Sequence, residues 1–191
     1  MENDTKTGKG ELTSQRLVEA AAYLFHRRGY AAVGLNDVLK LARAPKGVLY
    51  HHFPGGKASL GVAAIELSAR SFNESLTAAA AQASDPRSYI IAIGELTAAD
   101  LLETRFEAGC PLATVALETA PADPELSNAC RVGFELWLET METQLSALGH
   151  KSPRACAELL LTSLEGALAV ARTQKDVTIV RAVASRVAEF A

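Results

Sequence analysis

The chain has 191 residues, 49% of them hydrophobic, which is enough for one full domain or two small ones around a shared core and excludes a disordered chain. Its 19 Lys and Arg against 22 Asp and Glu give a net charge of −3, which taken whole argues against a nucleic-acid partner. Divided by position, residues 1–60 carry nine basic and five acidic groups, net +4, and the remainder carries −7, a split that marks two tasks in one chain or arises from chance clustering.

Ala, Leu, Glu and Arg dominate and strand-like alternation is nearly absent, so the expected fold is all-α. The first helix begins near Thr13, with Thr13 or Ser14 capping. It sets Leu17, Ala21, Leu24 and Phe25 on one face and ends at Gly29. A short second helix runs from about Leu35 to Ala42, Arg43-Ala44 makes a turn, and Pro45 suits the first position of a third helix reaching His52. Phe53-Pro54-Gly55-Gly56 breaks the pattern. Long helices follow over about 57–82 and 87–106, with a helix resuming over 111–119 after Gly109-Cys110-Pro111. The turn Ala120-Pro121-Ala122-Asp123-Pro124 leads into a helix over about 125–148, and two last helices cover about 154–173 and 177–190. About nine helices result: three in front of a long connecting helix, the rest a helical domain behind, divided as residues 1–58 and 59–191.

Two short helices on a tight turn, after a longer helix, outline a helix-turn-helix unit. On the second of them Leu49 and Phe53 share one face, while Lys46, Gly47, Tyr50 and His51 fall on another. A cation, a gap in the side-chain wall and two hydrogen-bonding rings suit a phosphate backbone and a major groove. Lys57 opens the next helix, where free N–H groups and the helix dipole favour a phosphate.

Leu17–Phe25, Gly29-Tyr30, Val38–Ala42 and Lys46–Phe53 resemble the DNA-binding region of TetR-type transcriptional repressors. The string from Ala44-Pro45-Lys46-Gly47 through Tyr50-His51-His52-Phe53-Pro54-Gly55-Gly56-Lys57 is similar to the LmrA/YxaF-like branch, as is Gly109-Cys110-Pro111-Leu112-Ala113 with Val115–Glu118 after it. The resemblance implies a homodimer whose recognition helices enter successive major grooves of a palindromic double-stranded DNA operator, with half-sites about 34–36 Å apart. It implies that a small molecule bound in the C-terminal domain releases the DNA. Residue by residue, it implies that Lys46 and Gly47 reach base edges and that Tyr50, His51 and Lys57 hold phosphates, with Gly34, Arg43 and Ala44 on the same surface. Gly34 stands where the family usually has Thr or Ser, so its phosphate contact is a backbone N–H at best. Pro45 replaces another Ser or Thr. Arg43 takes a turn position often held by Gly, and adds a DNA contact or is a solvated turn residue.

In the second domain Phe106, Cys110, Leu117, Phe134 and Trp137 are the candidate lining of an effector site for an apolar or aromatic compound. The aromatic residues serve equally as plain core. Gly109–Pro111 is a cavity wall or a simple bend, and Glu118 meets a cationic or hydroxylated ligand or is solvated. Leu160, Leu161, Leu164, Leu168, Ile179, Val180, Val183, Val187 and Phe190 offer more apolar surface than a terminal hairpin covers. They are expected to pair with a second copy through 154–173 and 177–190.

Other chemistries lack residues. His51-His52 has no further ligand at metal spacing, Gly55-Gly56-Lys57 lacks the first Gly and the Ser or Thr of a P-loop, and no nucleophile–base pair or carboxylate dyad is placed. No metal, cofactor or enzymatic activity is expected. Cys110, Cys130 and Cys156, odd in number and widely spaced, fit a reducing cytosol, and only Cys130 has a basic neighbour, Arg131. No apolar run approaches the roughly 18 residues of a membrane span, and Met1–Arg16 has no signal-peptide core. The expected function is a cytoplasmic, ligand-responsive transcriptional regulator, a repressor by resemblance. An activator on the same fold, or an all-α enzyme or carrier using the same cavity, are the alternatives.

Overall fold

A computed structural model describes residues 4–119 and 122–191, with the backbone alone for 4–10. Among the described residues the fold is nine α-helices with no strand. Helix α1 spans Asp4–Arg28 and starts well before the expected Thr13; its opening sequence is polar, with no apolar stripe to mark it. Gly29, at φ +78°, ends it. Helices α2 (Leu35–Ala42) and α3 (Lys46–His52) are joined by Arg43, which closes α2 in the left-handed conformation at φ +50°. Pro45 precedes α3 rather than opening it: at φ −73° and ψ 148° it is extended, and helix begins at Lys46. Leu17, Ala21, Leu24, Phe25, Val38, Leu49 and Phe53 close one small core.

Helix α4 (Lys57–Gln82) belongs to two cores, giving Leu60 and Ala64 to the first and Ile65, Ala69 and Leu76 to the second. Asp85 caps α5 (Pro86–Glu103) by accepting the Ser88 N–H at 2.7 Å. This helix stops short of Phe106, because Arg105 and Phe106 both turn left-handed, at φ +53° and +61°. Helix α6 is Pro111–Thr119; Ala120 and Pro121, part of the expected turn, lie outside the described residues. Asp123 caps α7 (Pro124–Ala147) through the Leu126 N–H, and α8 (Pro153–Gln174), α9 (Thr178–Val187) and a 3-10 turn at Ala188–Phe190 complete the chain.

Helices α8 and α9 correct the expectation for their apolar faces. Leu160, Leu164, Leu168, Val180 and Val187 are buried in the protomer's own core, with Tyr89, Ile93 and Trp137, because α5 and α7 lie against them. Leu161, Ile179 and Val183 are half-buried, and of that set Phe190 alone is exposed. No helix among the described residues is long and apolar enough to cross a membrane.

Candidate nucleic-acid interface and effector cavity

Helix α3 has one side chain fully out of water, Leu49, which with Phe53 docks it on the first core. That anchoring turns the other sides outward. Lys46, Gly47, Tyr50 and His51 are exposed, and the Lys46 ammonium lies 5.9 Å from the Tyr50 ring centroid one turn on. A Cβ added at Gly47 would meet no atom within 4 Å, so nothing inside the protomer requires glycine there. Arg43 is exposed beside this face, and Ala44 is half-buried against the core. His52 turns inward, its ring 6.5 Å from Phe53, and no group of His, Cys, Asp and Glu among the described residues is placed to hold a metal.

Two residues of the expected surface are engaged elsewhere. The Gly34 N–H donates to the Asp37 carboxylate at 3.2 Å, so the backbone donor expected for phosphate already has a partner. Lys57 is half-buried, its ammonium 4.3 Å from the centroid of the Tyr30 ring and donating to the Ala31 carbonyl at 3.4 Å. Burial lowers its pKa and the nearby Glu118 carboxylate opposes that shift.

Three acidic side chains of the C-terminal half hold the end of α1 and the turn after it. His26 Nε2 lies 3.4 Å from Asp100 on α5, Arg27 contacts Glu107 in the α5–α6 loop, and Glu118 on α6 accepts the Ala31 N–H at 2.7 Å.

Next to this seam is a cavity of about 490 Å³ among α1, α4, α5, α7 and α8, with Gly109–Pro111 in its wall. Of the expected lining, Cys110 and Trp137 face it. The other three do not. Phe134 packs edge-on at 5.6 Å from Trp137 without reaching the cavity, Phe106 packs on the core from the α5–α6 loop, and Leu117 is 86% exposed. Leu117 points away because Leu112 and Val115 take the buried side of α6.

The wall also contains residues that sequence reasoning did not select: Tyr23 and His26 from α1, Ser68 and Phe72 from α4, Thr97 and Asp100 from α5, and Glu165 from α8. Glu165 left a signal, a carboxylate set between Leu161, Leu164 and Leu168 on an apolar stripe. Its thiol neighbour Cys110 hydrogen-bonds it. Burial raises the pKa of both groups, and the carboxylate raises that of the thiol further. Burial likewise pushes Cys130 up to about 11 and raises Cys156, so these thiols lack the depressed pKa of a redox sensor.

Comparison with known proteins matches both halves. The N-terminal model of the tetR family of bacterial regulatory proteins covers residues 17–64, and that of the C-terminal domain of LmrA/YxaF-like transcriptional regulators covers 86–186. The HTH-type transcriptional regulator YxaF of Bacillus subtilis is 29% identical over 183 residues, 95% of each chain. The HTH-type regulator Rv0196 of Mycobacterium tuberculosis is 33% identical over 172 residues, 86% of each. The crystal structure of the regulatory protein TetR from Rhodobacter sphaeroides shares the fold, with a TM-score of 0.83 at 24% identity over 94% of this chain and 98% of that one. With one model over each core and regulators similar along most of their length, this chain belongs to the TetR family of transcriptional regulators, in its LmrA/YxaF-like branch.

Proposed function

We propose that the protein is a cytoplasmic repressor that binds a palindromic operator as a homodimer and leaves it when a small effector with an apolar or aromatic body fills the cavity. Residues 1–58 form the DNA-binding head, and residues 59–191 bind the effector and dimerise. The observation that carries this reading is the placement of α1. One face of that helix holds Leu17, Leu24 and Phe25 in the head core, while Tyr23 and His26 form part of the cavity wall. A ligand pressing on Tyr23 or displacing His26 from Asp100 tilts α1. Helices α2 and α3 share its core and move with it. Lys46 and Gly47 meet base edges, and Arg43, Tyr50 and His51 meet phosphates.

For the dimer, the support is what remains open on α8. Leu159, Thr162, Gly166, Ala169, Val170 and Thr173 make one exposed stripe, and a Cβ at Gly166 would meet nothing within the protomer. A second copy lying along that stripe gives the glycine a reason to be there.

The test is operator binding, on a site selected from random DNA. Lys46→Ala with Tyr50→Ala removes two exposed side chains and is expected to abolish specific binding while leaving thermal stability and dimer mass as they were. Unchanged affinity in the double variant rejects the assigned surface.

A further inference from the structure

Three hydroxyls of the cavity wall share one character. Ser68 Oγ donates to the Ala64 carbonyl at 3.0 Å, Ser75 Oγ to Ser71 at 3.2 Å and Thr97 Oγ1 to Ile93 at 3.0 Å. In these three the hydroxyl hydrogen is spent on the helix backbone and what each can still offer is a lone pair, which leaves the hydroxyls of Tyr23 and Ser71 as the wall's hydroxyl donors. The Trp137 indole N–H is also committed, to the Ala69 carbonyl at 2.8 Å. The two acidic side chains of the wall, Asp100 and Glu165, add carboxylate oxygens, and no Lys or Arg lines it. His26, the wall's imidazole, is turned to Asp100 at 3.4 Å. A cavity so lined carries two carboxylates, no Lys or Arg, and more acceptors than free donors.

Glu165 is the focus. Among the described residues it has no ion-pair partner; its neighbour is the Cys110 thiol, and its surroundings are Leu161, Leu164 and Leu168. A carboxylate on an apolar wall is costly unless a proton or a cation joins it. Even carboxylates in contact with water have a cation of the chain beside them: Glu135 has Arg154 at 2.7 Å and Glu95 has Arg181 at 2.9 Å. For Glu165 the protomer supplies no such cation, and the open space in front of it is the effector cavity.

We infer that the effector carries a protonated amine, which Glu165 binds, with its apolar or aromatic body against Phe72 and Trp137. The inference rests on the effector-cavity reading above and names the ligand's charge. The ammonium hydrogens meet the carboxylate and the hydroxyl lone pairs, and the rings add a cation–π contribution. An anionic ligand of the same shape meets two carboxylates and no compensating cation. A neutral one leaves Glu165 to take a proton from solvent.

Three probes of one shape separate the cases: 1-naphthylmethylammonium, 1-naphthylmethanol and 1-naphthoate, each titrated calorimetrically into the full-length protein. The ammonium is expected to bind at least tenfold more tightly than the alcohol, and the carboxylate more weakly than either. Glu165→Gln keeps size and hydrogen bonding and removes the charge. It is expected to bring the ammonium down to the level of the alcohol, whose own affinity stays within about twofold. Equal or tighter binding of the alcohol or the carboxylate by the unaltered protein overturns the inference whatever the variant does, as does an ammonium preference that survives Glu165→Gln. Binding of none of the three sinks the cavity as an effector site, and this inference with it. Binding of the alcohol without a preference for the ammonium sinks this inference alone.

Discussion

Glu118, in the last turn of α6, accepts the backbone N–H of Ala31 at 2.7 Å, so a helix that begins at the cavity ends by holding the turn that follows α1. The contact fixes what can stand beside it. A Cβ on Gly29, itself at φ +78°, would lie 2.1 Å from the Glu118 carboxylate. With His26–Asp100 and Arg27–Glu107, it means that the acidic second half does not simply stand away from the basic head. Part of its negative charge is spent along the seam.

Gly29→Ala therefore has two separable effects. The left-handed backbone costs an alanine about 1 kcal/mol in any background. The methyl also pushes the Glu118 carboxylate off Ala31, losing an exposed hydrogen bond worth about 0.5 kcal/mol. In a Glu118→Ala background the second loss has already occurred. Denaturant melts of the four proteins in the cycle are expected to show a smaller effect of Gly29→Ala when Glu118 is absent. Strict additivity means that Glu118 does not hold this turn.

Lys57 makes the second prediction, because its ammonium lies over Tyr30 and not in the open. If it swings out to a phosphate when the operator arrives, Lys57→Gln lowers the slope of log affinity against log salt by about 0.9 for each phosphate that is no longer neutralised. Titrations across a salt series decide it. A slope equal to that of the unaltered protein leaves Lys57 as a brace for the Tyr30–Ala31 turn.

The difference between Lys57 and its neighbours on α3 shows what the sequence could tell. Lys46, Gly47, Tyr50 and His51 share an open surface because helical spacing and one buried Leu49 suffice to place them. Where Lys57 points depends on Tyr30, which arrives from a separate turn. Apolar periodicity gave most helix bounds within a residue or two. It missed the polar start of α1, and it carried α5 on to Phe106, since two consecutive non-glycine residues in the left-handed region have no signature in composition. Phe72 and Phe134 both pack on Trp137 edge-on, at 4.8 and 5.6 Å, and only the packing of α4, α7 and α8 decides which of them faces the cavity. Glu118, expected to meet ligand or water, is exposed and also binds the backbone of the head, a contact that no sequence pattern marks.

Glu165 should also be visible in stability. Its pKa is raised in the folded state by burial, so the folded protein binds that proton more tightly than the unfolded chain. The resulting stabilisation is complete below the unfolded glutamate value, about 4.3, and is lost as pH rises through the folded one. Glu165→Gln does not titrate. The melting temperature of the variant relative to the unaltered protein is expected to rise from pH about 4 toward neutrality. A difference that is flat across that range, in ligand-free protein, means the carboxylate is better solvated than its surroundings imply.

Gly166 tests the dimer without disturbing the protomer. It lies mid-helix on the exposed stripe of α8, and an added side chain there meets nothing within 4 Å. Gly166→Arg should leave each subunit folded, with helicity undiminished. Placed between two copies, it sets like charges and bulk where backbones approach. Light scattering is expected to give a dimer for the unaltered protein and a monomer for the variant. A dimer in both places the interface elsewhere.

Gly47 sets stability against function in one residue. Glycine inside a helix is less stable than alanine by roughly 0.5–1 kcal/mol, and its usual justifications are a positive φ or a crowded neighbour. Gly47 has neither: it lies within α3, and a Cβ built there meets no atom of the protomer within 4 Å. The protomer alone is therefore better served by alanine, and Gly47→Ala is expected to raise the melting temperature. What glycine offers is a bare stretch of backbone between Lys46 and Val48 on the exposed side of α3, close enough for a base edge or a phosphate to approach. The same substitution is expected to weaken operator binding by about tenfold or more, equivalent to roughly 1.4 kcal/mol. Melting curves and anisotropy titrations on one preparation measure both. A variant that is more stable and binds DNA as tightly as before would show that α3 keeps its glycine for some reason other than the approach of DNA.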